Sequence, residues 1–113
     1  MSPAGLQAFK ADFFRALAHP IRIRILETLG EGDRSVQELQ AALDLDQPVV
    51  SQQLAVLRAK NIVTTRKVGT TVRYTLSDPL ITNLLSVARE IFNNHLIDSQ
   101  SMLKELQREA RKL

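Results

Sequence analysis

A chain of 113 residues with 44% hydrophobic and 24% charged side chains has room for one modest core and is too apolar to be disordered. It contains no cysteine and no tryptophan, which excludes a disulfide framework, thiolate metal centres and thiol redox chemistry. The net charge of +3 is mild, and no run approaches the ~18 apolar residues of a membrane span, so no membrane partner is expected.

With aromatics at 4%, the core must rest on Leu, Ile, Val and Ala. The start, Met1-Ser2-Pro3-Ala4-Gly5, has neither the basic flank nor the apolar centre of a secretory leader. The expectation is a cytoplasmic protein with a single domain over residues 1–113.

Leu6, Phe9, Phe13, Phe14 and Leu17 recur in steps of three and four and predict an amphipathic helix over 5–17. Pro20 opens a second helix, with Ile21, Ile25, Leu26 and Leu29 inward and Gly30 and Gly32 as its terminators. His19, just before Pro20, belongs to the cap region of that helix. Ser35-Val36-Gln37-Glu38 has capping-box spacing and starts a short third helix. Asp44-Leu45-Asp46 breaks it. Asp46 or Gln47 then caps a fourth helix that carries Pro48 in its first turn, buries Val50, Leu54 and Leu57, and ends near Asn61.

The period then changes. Residues 62–68 and 71–76 are rich in β-branched side chains around Gly69 and predict a hairpin. After Asp78-Pro79, helical spacing resumes through Ile81, Leu84, Leu85, Ala88, Ile91, Phe92, Leu96, Leu103, Leu106, Ala110 and Leu113. Asn93-Asn94 and Asp98-Ser99 leave open whether this is one helix or two.

The fold class is therefore mainly α with a β-hairpin wing, in the order α-α-α-α-β-β-α with a final helix that is single or split. A short helix, a tight turn and a polar-faced helix over about 35–60 form a helix-turn-helix, and the hairpin over about 62–76 is its wing. On the fourth helix, Gln47, Val49, Ser51, Gln52 and Gln53 are candidates for base contacts. Glutamine pairs with adenine, serine donates or accepts, and valine touches the thymine methyl. Arg58 and Lys60 suit phosphates, as do Arg66, Lys67 and Arg73 of the hairpin. Residues 47–76 carry these five cations and no carboxylate, a distribution that suits a polyanion. Duplex DNA is the expected partner.

Two other functions fit the sequence less well. A protein-interaction module would use the apolar tail, but the acid-free block argues against it. An enzyme lacks support, because the chain has two histidines, no cysteine and no glycine-rich phosphate loop. A metal site would draw on His95 and Asp98, one turn apart, with Glu90 before them. Such donors suit nickel or zinc.

The segments Leu17-Ala18-His19-Pro20-Ile21-Arg22-Ile23-Arg24-Ile25-Leu26, Gln47 through Arg58, and Gly69 through Tyr74 together resemble the ArsR/SmtB family of bacterial repressors. The resemblance covers roughly residues 9–92. It implies a winged-helix homodimer whose first and last helices form the interface, here with Phe9, Phe13, Leu84, Ile91, Leu103 and Leu106. It also implies repression at a palindromic operator. Where the family often carries His, this chain has Gln53.

The family's cysteine site on the third helix has no counterpart in Ser35-Val36-Gln37-Glu38-Leu39-Gln40. Of its site on the fifth helix, Asp78 matches, while Leu80, Ile91 and Asn94 stand at the other positions. The effector therefore stays open: a nickel or zinc site of its own kind, or a separate sensor protein.

Overall fold

The computed structural model describes residues 3–112. The elements run α1 (Pro3–Leu17), α2 (Pro20–Leu29), β1 (Arg34–Ser35), α3 (Val36–Leu43), α4 (Gln47–Ala59), β2 (Val63–Val68), β3 (Thr71–Leu76) and α5 (Leu80–Lys112). The chain, expected as a single domain, divides into a unit that ends at Thr82 and a second that begins at Asn83. Among the described residues no helix is long and apolar enough to cross a membrane. Leu113, the last position of the expected apolar stripe, lies outside the described residues, as do Met1 and Ser2.

The first unit closes around Ile25, Leu26, Leu39, Val50, Leu54, Leu57, Ile62 and Val63, all essentially inaccessible to solvent. Each helix that contributes has a legible start. His19 has extended backbone, and its Nδ1 accepts the Ile21 N–H at 3.1 Å, so it caps α2 ahead of Pro20. Ser35 Oγ accepts the Glu38 N–H at 3.2 Å while Glu38 Oε1 accepts the Ser35 N–H at 3.1 Å. The capping box of α3 is thus complete. Asp46 stands at the N-cap of α4 with no side-chain capping bond among the described residues.

The ends of the helices differ in one respect from expectation. Gly30 follows α2 in right-handed conformation (φ −63°), so backbone freedom is not its role. Space is: a Cβ at Gly30 would lie 2.9 Å from Thr82 Oγ1 and 3.2 Å from the Glu27 carbonyl oxygen. Asp44 (φ 55°) and Asn61 (φ 58°) close α3 and follow α4 in left-handed conformation, which these short polar side chains tolerate.

β2 and β3 pair antiparallel from Val63↔Leu76 to Val68↔Thr71, leaving Gly69-Thr70 as a two-residue loop. Gly69 has φ 63° and Thr70 has no positive φ, the pattern of a turn that takes glycine first. The expected hairpin is part of a three-stranded sheet of order β1-β3-β2. β1 pairs Arg34 with Tyr74 and Ser35 with Arg73. Two residues show no alternation, so this strand left no periodic signal.

Asp78 Oδ1 accepts the Leu80 N–H at 2.9 Å and starts α5. The open choice at the C-terminus resolves to one continuous helix of 33 residues. Neither Asn93-Asn94 nor Asp98-Ser99 breaks it. In the second unit this helix exposes Ile91, Phe92, Leu96, Ile97, Met102, Leu103 and Leu106.

Candidate nucleic-acid interface

The helix-turn-helix is α3, the turn at Asp44 to Asp46, and α4. Burial of Val50, Leu54 and Leu57 fixes the rotation of α4 about its axis. Gln47 and Gln52 are therefore exposed, and Val49, Ser51 and Gln53 are half-buried on its flanks. Gln47 Nε2 donates to Ser51 Oγ at 2.7 Å, one turn along the helix. This bond holds both polar groups at the N-terminal half of the helix, which in helix-turn-helix proteins meets base edges.

Gln53 has a partner that sequence reasoning missed. Its Oε1 accepts from Arg22 Nε at 3.0 Å, while Arg22 Nη1 donates to the Ala16 carbonyl at 2.9 Å. A guanidinium has only donors, so the amide oxygen must face it. Gln53 then presents its NH2 group rather than the donor–acceptor pair that reads adenine. Arg22 lies within the family-like segment, but nothing in its spacing points at a residue 31 positions away.

The cations are less free than their sequence neighbourhood implies. Lys60 Nζ bonds Asp12 Oδ2 of α1 at 3.1 Å. Arg66 Nη2 bonds Asp33 Oδ2 at 2.6 Å. Arg73 reaches Glu38 Oε1 at 2.7 Å through Nη1, and the Asp33 carbonyl at 3.1 Å through Nη2. Its Nε also lies 3.4 Å from Asp33 Oδ2. Among the described residues no ion pair joins Arg58 or Lys67 to a carboxylate.

The stretch 47–76 is thus free of acids in sequence but not in space. Pairing of β1 with β3 carries Asp33 and Glu38 to the base of the wing. The electrostatics follow. The Arg66 hydrogen bond, then that of Arg73, holds the Asp33 carboxyl below its ordinary value. The Ser35 N–H, then Arg73, does the same for Glu38. Glu38 and Asp33 in turn raise the pKa of Arg73.

The expected metal donors do not converge within one chain. His95 and Asp98 are one turn apart on α5, but Glu90 precedes His95 by five positions, which turns it about 140° around the axis. Among the described residues no three His, Asp or Glu side chains gather to hold a metal ion. The residues expected at a dimer interface are varied. Phe9, Ile91, Leu103 and Leu106 are exposed. Leu84 and Phe13 are half-buried, and the Phe13 ring meets Phe14 edge-on with centroids 5.6 Å apart.

Comparison with known proteins bears on this arrangement directly. Residues 19–65 match the model of the bacterial regulatory protein, arsR family. The chain is 44% identical over 107 residues to the uncharacterized HTH-type transcriptional regulator Rv0081 of Mycobacterium tuberculosis, with 94% of each chain covered. It is 42% identical over 82 residues to a biofilm growth-associated repressor of Agrobacterium fabrum, covering 73% of this chain and 70% of the relative.

The crystal structure of Rv0081 superposes with a TM-score of 0.77 over 88% of this chain and 98% of that one, at 45% identity. A homodimeric winged helix-turn-helix DNA-binding domain, Mb0332 from Mycobacterium bovis, superposes with a TM-score of 0.75 over 85% of this chain and 91% of that one, at 26% identity. By name these are a transcriptional regulator, a repressor and a DNA-binding domain. A winged helix-turn-helix scaffold, the polar face of α4 and this likeness along nearly the whole chain make the protein a transcriptional regulator that belongs to the arsR family.

Proposed function

We propose that the chain represses transcription by binding a palindromic operator as a homodimer, with the N-terminal half of α4 in the major groove. The observation that carries this reading is the face of α4. Gln47, Ser51 and Gln52 form a polar surface on a helix whose opposite side is locked into the core by Val50, Leu54 and Leu57. A polar face held in a fixed rotation about the helix axis is what base readout requires. Arg58 and Lys67, which have no carboxylate partner among the described residues, supply phosphate contacts. The Agrobacterium relative is a repressor by name, and the Mb0332 domain is described as homodimeric. Both support the reading. So do the apolar residues that α1 and α5 leave exposed, since such stripes need a covering partner.

The test is fluorescence anisotropy of the full chain on promoter DNA from its own gene, over a salt series. The expected result is a log–log slope of several units, on the order of 0.9 per phosphate contact. Gln52→Ala should cost about 1–3 kcal/mol on the operator and leave mixed-sequence DNA unaffected. Equal loss on both duplexes would remove Gln52 from base readout. Repeating the titration with chelator and then with nickel or zinc tests the His95–Asp98 pair as a metal switch, for which a ten-fold change in Kd is expected. No change would assign the response to a partner protein or another ligand.

A further inference from the structure

On the reading that the wing faces DNA, we propose that Asp33 competes with DNA phosphate for the Arg66 guanidinium, and so sets the strength of DNA binding. The wing carries Arg66, Lys67 and Arg73, but the two arginines are not equivalent. Arg73 is 25% exposed and bonded on three sides, to Glu38, to the Asp33 carbonyl and to the Asp33 carboxylate. It ties β3 to the start of α3. Arg66 is 65% exposed and, among the described residues, has one ion pair, to Asp33. It is the only one of the pair whose guanidinium stays open to a second anion.

Asp33 occupies Arg66 with the same chemistry a phosphate would use, a charge-assisted bond from the guanidinium edge. When a phosphate approaches, Arg66 must either leave Asp33 or hold both. In the second case a carboxylate remains beside the phosphate. Either way the free energy gained from Arg66 is reduced by what Asp33 already supplies. Lys67, next along β2, carries no such penalty. The net effect is a wing with three cations in sequence whose pull on DNA comes mainly from one. Asp33 acts through an arginine that would bind a phosphate, so its influence is on affinity, uniformly across sequences.

The experiment uses the full chain and a fluorescein-labelled mixed-sequence duplex, because phosphate contacts do not depend on sequence. Kd is measured by anisotropy over a salt series for wild type, Asp33→Asn, Arg66→Ala and the double variant, with melting temperatures as a check on folding. Asp33→Asn is expected to lower Kd by a factor on the order of three to ten at low salt and to steepen the log–log slope by about one. Adding Arg66→Ala should abolish that gain.

Unchanged or weaker binding by a folded Asp33→Asn variant would overturn the proposal, as would a gain that survives removal of Arg66. The single Arg66→Ala variant tests the same point if Asp33→Asn fails to fold. It should weaken wild-type binding less than Lys67→Ala does, and an equal loss from both would overturn the proposal. Failure of the wild type to bind duplex at all would instead remove the DNA-binding reading on which this one stands.

Discussion

Two glycines with different jobs show how single residues set this fold. At Gly69 a Cβ would meet nothing within 4 Å among the described residues, yet φ is 63°, so an alanine there is opposed by left-handed backbone. Gly69→Ala should cost about 1 kcal/mol by urea denaturation. At Gly30 the backbone is ordinary and the obstacle is Thr82 Oγ1 at 2.9 Å. Gly30→Ala should cost about 1–3 kcal/mol, the range of an overpacked contact. Thr82→Ala should restore part of it, and no restoration would place the conflict at the Glu27 carbonyl instead. Both glycines were visible in the sequence, but only Gly69 was visible for its actual reason, because turn chemistry is local and the approach of Thr82 is not. The same divide separates His19, whose cap role its neighbour Pro20 announces, from Gln53, whose orientation is set by Arg22.

At the scale of elements, the helix-turn-helix was legible because each helix has a start signal and an apolar spacing of its own. The capping box Ser35–Glu38 and the buried triplet Val50, Leu54 and Leu57 are examples. What was not legible is the joint between the elements. Arg73 and Glu38 are 35 residues apart, and they meet because a two-residue strand pairs with β3.

This joint has a measurable signature. Asp33 and Glu38 are held below their ordinary values in the folded state, so the unfolded chain takes up their protons first as pH falls. Their stabilisation is complete above the unfolded values near about 4 and is lost as pH falls through the lower folded ones. Melting temperature should therefore decline from about pH 5 downward. The decline should be shallower in Glu38→Gln than in wild type, since one of the two linked protons is gone. Parallel profiles would mean that the Arg73–Glu38 contact does not persist in solution.

For the whole molecule the question is what covers the apolar stripe of α5. Leu96, Leu103 and Leu106 repeat at intervals of seven and three, and each is more than half exposed. On α1, Phe9 is 66% exposed. The sequence displayed both stripes, but a stripe specifies only that apolar surface must be buried, not by what. On the proposed reading the cover is a second copy, because it doubles every stripe at once and would match the two-fold symmetry of the proposed palindromic operator.

If α5 serves this purpose, Leu103→Asp with Leu106→Asp places charge in the interface without touching the core of the first unit. Analytical ultracentrifugation should then show wild type as a dimer and the variant as a monomer, with far-ultraviolet circular dichroism of the winged helix retained. Operator affinity should fall on the order of a hundred-fold, because two half-sites joined through one interface no longer act together. A wild-type chain that sediments as a monomer, and binds its operator as tightly as the variant, would assign the stripe to a different protein.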